Sequence, residues 1–268
     1  NGEFSGTLSG GTSFNGWRAQ TSTALTGAHN FLLAVPGGAW PEVPEGTGYG
    51  TVTVQANGTA TVSGRAGDGS SFATSAWLGA NGDVILYQAL YVVPGTLRGT
   101  LNIANDPAHT LTGALNWSKP DQNSGVLYAD GWNPVLSLTA SGGRYRPVSG
   151  ATIALDVPAT AGNNARVHLQ DGGLTPNPTD VPLRLSAPAV ATLVAPSKLT
   201  ITNSTGAFTG SMTVGTGAAK RTLAIQGLLV PDATTQNPFD SQGHGYFLLP
   251  ATGSGVTRSG MVLIEALP

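Results

Sequence analysis

The sequence predicts an all-β protein built from two related antiparallel units, each a hairpin-rich β-barrel or β-sandwich. Short runs of alternating apolar and polar residues recur along the chain, which is the period of a strand with one buried face. Asn-Gly and Asp-Gly pairs separate several of these runs, and a glycine-spaced motif recurs. With 38 Gly and 18 Pro among 268 residues, few windows of helical length are uninterrupted, so we expect no more than a turn or two of helix.

The recurring motif reads GEFSGTL at 2–8, GTLRGTL at 95–101 and GAFTGSM at 206–212. In each copy the residues between and after the two glycines alternate as they do in a strand. We interpret the glycines as sites where a strand bends or bulges at a corner of a barrel or sandwich. The motif therefore indicates how the protein is built and carries little information about its function.

Three dipeptides predict tight turns between strands. Asn57-Gly58 separates the alternating runs 51–55 and 59–63, and it predicts a two-residue type I′ hairpin with positive φ at both turn residues. Asp68-Gly69 is expected to join the runs 62–65 and 71–74, and Asn81-Gly82 is expected to join the runs 75–78 and 84–87. Residues 48–93 should therefore form an up-and-down meander.

Longer segments repeat in the same order as the motif. Residues 27–33 resemble 243–249, and residues 49–54 resemble 259–264. The glycine-rich stretch that ends at Pro147 separates the two halves. We therefore predict an N-terminal β unit at 1–147 and a C-terminal β unit at 148–268, either with separate cores or with one continuous core.

Composition narrows the classes of partner. Only 10% of the residues are charged, and 12 Lys+Arg stand against 14 Asp+Glu without a basic run, which argues against nucleic acid and anionic membrane surfaces. The apolar runs are far shorter than a transmembrane helix, so we expect no membrane span. Sparse charge and the absence of cysteine are typical of exported bacterial proteins, and we expect a secreted or cell-surface location.

Motifs for catalysis are weak. The sequence contains no Gly-x-Ser-x-Gly nucleophile elbow, and its Gly-rich segment at 46–50 precedes a strand rather than a phosphate-binding helix. The four histidines lie far apart, and four of the 14 acidic residues, Asp68, Asp83, Asp171 and Asp232, stand beside Gly or Pro in turn contexts. We therefore predict a protein that is not an enzyme and that carries no cofactor or metal.

Five segments carry a resemblance to a known kind of module: residues 48–54, 62–69, 86–91, 111–117 and 206–263. Together they are similar to an uncharacterised β-rich module found near the C-termini of large secreted or surface-displayed bacterial proteins. The resemblance implies an all-β fold and an extracellular setting. It implies no catalytic residues, because its shared positions are mainly structural glycines and aromatics.

Loop aromatics supply the candidate ligand site. Trp40, Tyr128 and Trp132 lie in loop-like segments, where flat rings can stack against sugars, and Asp130 and Asn133 are expected as hydrogen-bonding neighbours. The alternative is that Trp132 plugs one end of a barrel or sandwich. Trp77 and Trp117 lie on predicted strands instead, where we expect a core position.

Three functions remain open from the sequence. The leading prediction is a non-catalytic extracellular module with a structural, assembly or adhesion role. Its partners would be other protein subunits or surface polysaccharide, and it would form an oligomer or filament through exposed strand edges. The alternatives are a carbohydrate-binding module that uses the loop aromatics and a polysaccharide-directed enzyme.

Overall fold

The structure, a computed structural model, confirms the all-β prediction. It describes residues 3–21, 24–36, 42–122, 127–217, 220–232, 234–235, 237, 239–250 and 256–267. Eighteen strands and a single 3₁₀ turn, Ala154–Asp156, make up the regular structure of this part of the chain. None of its helical segments is long and apolar enough to cross a membrane.

The strands follow one another with short connections. In chain order they are β1 Glu3–Thr7, β2 Ser13–Trp17, β3 Gly27–Ala34, β4 Gly48–Val54, β5 Thr59–Arg65, β6 Ser71–Trp77, β7 Asp83–Leu90, β8 Gly95–Ile103, β9 Leu111–Lys119, β10 Trp132–Arg144, β11 Ala165–Asp171, β12 Thr179–Ser186, β13 Val190–Leu193, β14 Lys198–Thr202, β15 Ala207–Val214, β16 Arg221–Pro231, β17 Ser241–Leu249 and β18 Arg258–Ala266.

Two eight-stranded antiparallel sheets curl into similar near-barrels. The first has the order β6-β5-β4-β3-β10-β9-β8-β7, and the second has the order β13-β12-β11-β18-β17-β16-β15-β14. In each barrel the first strand pairs with the last, so the free ladder edges lie in the middle of the meander, at β6/β7 and at β13/β14. Strands β1 and β2 form a separate two-stranded hairpin.

The predicted turns form, but with a different geometry. At Asn57-Gly58 only Gly58 has positive φ, at +84°, and the amide of Gln55 donates to the carbonyl of Thr59 at 2.9 Å. The loop is therefore longer than the predicted two-residue type I′ turn, which needs positive φ at both residues. Gly69 and Gly82 occupy the same position in equivalent loops, with φ of +87° and +84°.

The motif glycines permit close approach between strands. A Cβ on Gly99 would lie 2.2 Å from the carbonyl oxygen of Ala114, and a Cβ on Gly210 would lie 2.5 Å from that of Lys198. The strand registers through both glycines are continuous, so the strands do not bulge there. The prediction of a bulge at these positions is wrong. The first motif copy forms β1 and belongs to neither barrel.

Each barrel has its own hydrophobic core. Phe31, Phe72 and Trp117 belong to the first core, and Phe208 and Phe247 belong to the second. These side chains are at most 3% exposed and fill the barrel interiors. The chain passes from the first sheet to the second between β10 and β11, and this interval contains the expected boundary at residue 147.

The repeated segments do not occupy equivalent places in the two meanders. Residues 27–33 lie in β3, the first strand of the first barrel, whereas residues 243–249 form most of β17, the seventh strand of the second barrel. The two segments are therefore similar in their local alternation of residues, although the strands that they form occupy different positions in the two barrels.

A buried polar contact fixes the two barrels to each other. The Asn30 side chain is fully buried, and its Nδ2 donates to the carbonyls of Thr205 at 3.0 Å and Leu229 at 2.9 Å. Its Oδ1 accepts a hydrogen bond from Thr51 at 2.8 Å, so the amide is satisfied on both sides. Tyr145, just after β10, donates to the carbonyl of Asn203 at 2.8 Å.

Candidate functional site

Of the three predicted loop aromatics, the two that the structure describes lie at least half inside the molecule. Trp132 is 9% exposed, its ring centroid lies 4.4 Å from that of Trp117, and its Nε1 donates to the Trp117 carbonyl at 2.9 Å. The prediction of an exposed Trp132 ring is wrong, because packing against Trp117 covers the face that a sugar would need. Its alternative, an aromatic plug in the first barrel, describes the observed position.

Tyr128 joins the barrels instead of facing a ligand. Its backbone has positive φ, at 52°, and its half-buried hydroxyl accepts a hydrogen bond from the amide of Ser259 at 3.0 Å. Asp130 and Asn133 are exposed on either side of the buried Trp132. Trp40 lies outside the described residues. The structure therefore brings Tyr128 and Trp132 together, at 6.4 Å between ring centroids, but as packing residues.

A buried ion pair lies beside this aromatic cluster. The ammonium of Lys119 lies 3.7 Å from Asp68 Oδ2, and both side chains are at most 3% exposed. It also lies 4.5 Å from the centre of the Tyr91 ring, and the Tyr91 hydroxyl donates to Asp68 at 2.9 Å. Burial lowers the pKa of Lys119 and raises that of Tyr91. The charges are paired inside the barrel wall, which is the arrangement of a structural network.

Apolar side chains are exposed where the ladder of the first barrel is open. Trp77 of β6 is 55% exposed, and Ile85 and Tyr87 of β7 are 47% and 58% exposed. The two strands lie side by side without a hydrogen-bonded ladder between them. We call this surface the seam face. The interpretation of Trp77 as a core residue is wrong, because Trp77 lies on the outer face of β6.

A cleft of about 380 Å³ opens between the barrels. Its lining includes Arg144 at the end of β10, Arg146 in the following linker and Asp106 in the loop between β8 and β9. The second barrel contributes Pro231, which ends β16, and Asp232, which follows it. A neighbouring depression of about 360 Å³ shares Pro231 and Asp232 and continues along the same junction.

Two stacked histidines lie behind the wall of the cleft. His29 and His109 have ring centroids 5.5 Å apart, and Nε2 of His29 lies 3.2 Å from Nδ1 of His109. Burial lowers the pKa of His29 to about 4, and the charges of His109 and Arg144 act in the same direction. Burial and the charges of Arg144 and Arg146 also lower the pKa of His109. The pair is therefore neutral at pH 7.

Fold and surface define a module of two fused, filled β-barrels with an apolar seam face and a polar cleft at the junction. Comparison of the chain with protein-family models, with curated proteins and with solved structures gave no match.

Residues of both the seam face and the cleft stand out in the sequence, but their patterns do not show that they lie at a surface. Ile85 and Tyr87 alternate with Val84 and Leu86, but the sequence pattern alone does not indicate which face points outward. The Arg-Tyr-Arg sequence at 144–146 is conspicuous in a chain with only 12 Lys+Arg, although it was interpreted only as part of the boundary between the units.

Proposed function

We propose that this protein is a non-catalytic, extracellular structural module that associates with further copies of itself through the seam face. The observation that carries the proposal is the exposure of Trp77, Ile85 and Tyr87 on adjacent strands of the first barrel. Aromatic and aliphatic groups of this kind are enriched at the centres of protein interfaces.

Low charge supports a second copy as the partner. The whole chain has a formal net charge of -2, so electrostatic repulsion between copies is weak. The low content of charged residues and the resemblance to modules of secreted and surface-displayed bacterial proteins favour an extracellular setting.

The contact differs from simple extension of a free edge. Strands β6 and β7 flank each other, so each edge is shielded by the neighbouring strand. We therefore propose docking between side-chain faces in place of strand addition. In such a contact the Trp77 and Tyr87 rings supply most of the buried apolar area.

The test is the association state of the full chain. Sedimentation equilibrium from micromolar concentration to the solubility limit should show a mass that rises with concentration. Combined Trp77→Ser and Tyr87→Ser substitutions should keep the protein monomeric at the same concentrations. Val190→Ser is the matched control, because Val190 is 54% exposed on β13 of the second barrel. It should associate like the unsubstituted protein.

Two results would overturn self-association. The first is an unsubstituted chain that stays monomeric throughout the concentration range. The second is equal association of the doubly substituted chain and the unsubstituted chain. Binding of the monomeric chain to insoluble polysaccharide, with loss of binding on substitution of Trp77 and Tyr87, would favour the carbohydrate-binding alternative on the same face.

A further inference from the structure

The cleft at the barrel junction contains two guanidinium groups that are available to a ligand. Arg144 and Arg146 both line it, and neither side chain forms a hydrogen bond or ion pair with any residue that the structure describes. Arg144 lies opposite His29 in the sheet, and its backbone amide donates to the Ala108 carbonyl at 3.0 Å. Its backbone is therefore fixed while its charged group remains available.

The two carboxylates of the cleft are engaged by their own loops. Asp106 accepts a hydrogen bond from the amide of Thr110 at 3.0 Å. Asp232 accepts two from Thr234, at 2.8 Å from its amide and 2.6 Å from its hydroxyl. These bonds are typical of loop-stabilising aspartates, and they hold both carboxylates in their own loops without neutralising their charge. The aspartates still weaken the positive potential, so an anion must contact a guanidinium directly to bind.

The rest of the lining suits a small ring with hydroxyl groups. Pro107, Ala108 and Pro231 provide apolar surface, and Thr235 and Asn237 provide polar groups. Each of these two side chains already donates one hydrogen bond within the protein and keeps the capacity for another. A volume of about 380 Å³ lies within the range of small-molecule sites.

The groove extends beyond one sugar ring. The adjoining depression of about 360 Å³ is lined by Gln242 and His244 of β17, among others. Neither of these two side chains forms a hydrogen bond within the part of the chain that the structure describes. A second ring in a chain of sugars would therefore meet polar groups that are free to bind it.

We propose that this cleft binds an acidic sugar unit, with the sugar carboxylate on Arg144 and Arg146 and the ring on the proline and alanine surface. Guanidinium groups form paired, charge-assisted hydrogen bonds to carboxylates, which a neutral sugar cannot reproduce. The site is separate from the seam face and does not depend on self-association.

The test uses D-glucuronate and D-glucose, which differ only in oxidation at C6. Calorimetric or NMR titration of the full chain at low salt should show binding of glucuronate and at least tenfold weaker binding of glucose. Trigalacturonate should bind more tightly than galacturonate, because it reaches the adjoining depression. Added salt should weaken the binding of all three acidic ligands.

Matched variants assign the binding to the two arginines. Arg144→Gln and Arg146→Gln should each lower glucuronate affinity at least tenfold, because a charge-assisted hydrogen bond is lost. Arg98→Gln removes an exposed arginine of β8 and should leave the affinity unchanged. Arg146 is exposed, so its substitution should leave the thermal unfolding midpoint unchanged and provides the decisive variant if Arg144→Gln impairs folding.

Three outcomes would overturn the proposal. They are equal affinity for glucuronate and glucose, the absence of glucuronate binding up to about 10 mM, and unchanged affinity in Arg146→Gln. Tighter binding of inorganic sulfate than of glucuronate, with the same arginine dependence, would overturn the sugar assignment. The seam variant with Ser at 77 and 87 should bind glucuronate normally, so failure of self-association and failure of this site give different results.

Discussion

Acidification should destabilise this protein through two histidines that the fold keeps neutral. His29 is fully buried in β3, and burial lowers its pKa from 6.5 to about 4. His244 is half-buried in β17, and burial lowers its pKa to about 4 while the charge of Glu265 opposes the change. Between pH 6.5 and about 4 the unfolded chain takes up protons that the folded chain excludes, so the free energy of unfolding falls as the pH decreases.

The size of this effect follows from the two pKa values. A difference between 6.5 and about 4 corresponds to about 3 kcal/mol for each histidine. The contribution is fully present above pH 6.5, is lost as the pH falls towards 4, and changes little below 4. For His244, solvent screening makes the figure an upper bound, because part of the side chain is exposed.

Urea unfolding of the full chain at a series of pH values between 7.5 and 4 measures the effect. His244→Gln should lose less stability on acidification than the unsubstituted protein, by up to about 3 kcal/mol. Gln242→Asn is the control, because it changes a neighbouring, exposed side chain of β17 without removing a titratable group. An identical acid dependence in His244→Gln and the unsubstituted protein would refute the reasoning.

Two further predictions concern the first barrel and the turns. Asp68→Ala leaves the Lys119 ammonium buried without its carboxylate partner and should destabilise the fold by about 3–5 kcal/mol, measured by urea unfolding. Adding Lys119→Met should recover much of that loss, and a double variant no more stable than the single one would contradict the explanation. Gly82→Ala should lower the unfolding midpoint more than Gly150→Ala. Both glycines have positive φ, but only at Gly82 would a Cβ meet backbone, 2.1 Å from the carbonyl oxygen of Ile103, so equal effects would show that the contact is irrelevant.

Local sequence patterns predicted the strands and turns well. Alternation around Asn57-Gly58 gave the hairpin of β4 and β5, because the side chains of a strand point alternately to its two faces. The turn type was wrong because the same dipeptide fits several loops that place only the glycine at positive φ. At Asn81-Gly82 the turn formed without a ladder between β6 and β7, because barrel closure and strand stagger depend on the whole sheet.

The candidate ligand residues were harder to predict. Trp132 follows an Asp-Gly pair, a context typical of a loop, yet it begins β10 and packs on Trp117. Trp77 lies in a clear strand and was therefore interpreted as a core residue, although it faces outward. In both cases the local pattern indicates the backbone conformation, whereas burial depends on which sheet face meets the core.

The sequence by itself determined an all-β chain, its hairpins and its low charge. These properties depend on residues that are neighbours along the chain, through alternation, turn glycines and composition. Only the tertiary structure decided which first and last strands close each barrel and that Asn30 joins the barrels through Thr205 and Leu229. It also brought Arg144 and Arg146 to one cleft with Asp232. Those contacts join residues far apart in sequence, and they are fixed by the packing of two complete barrels against each other.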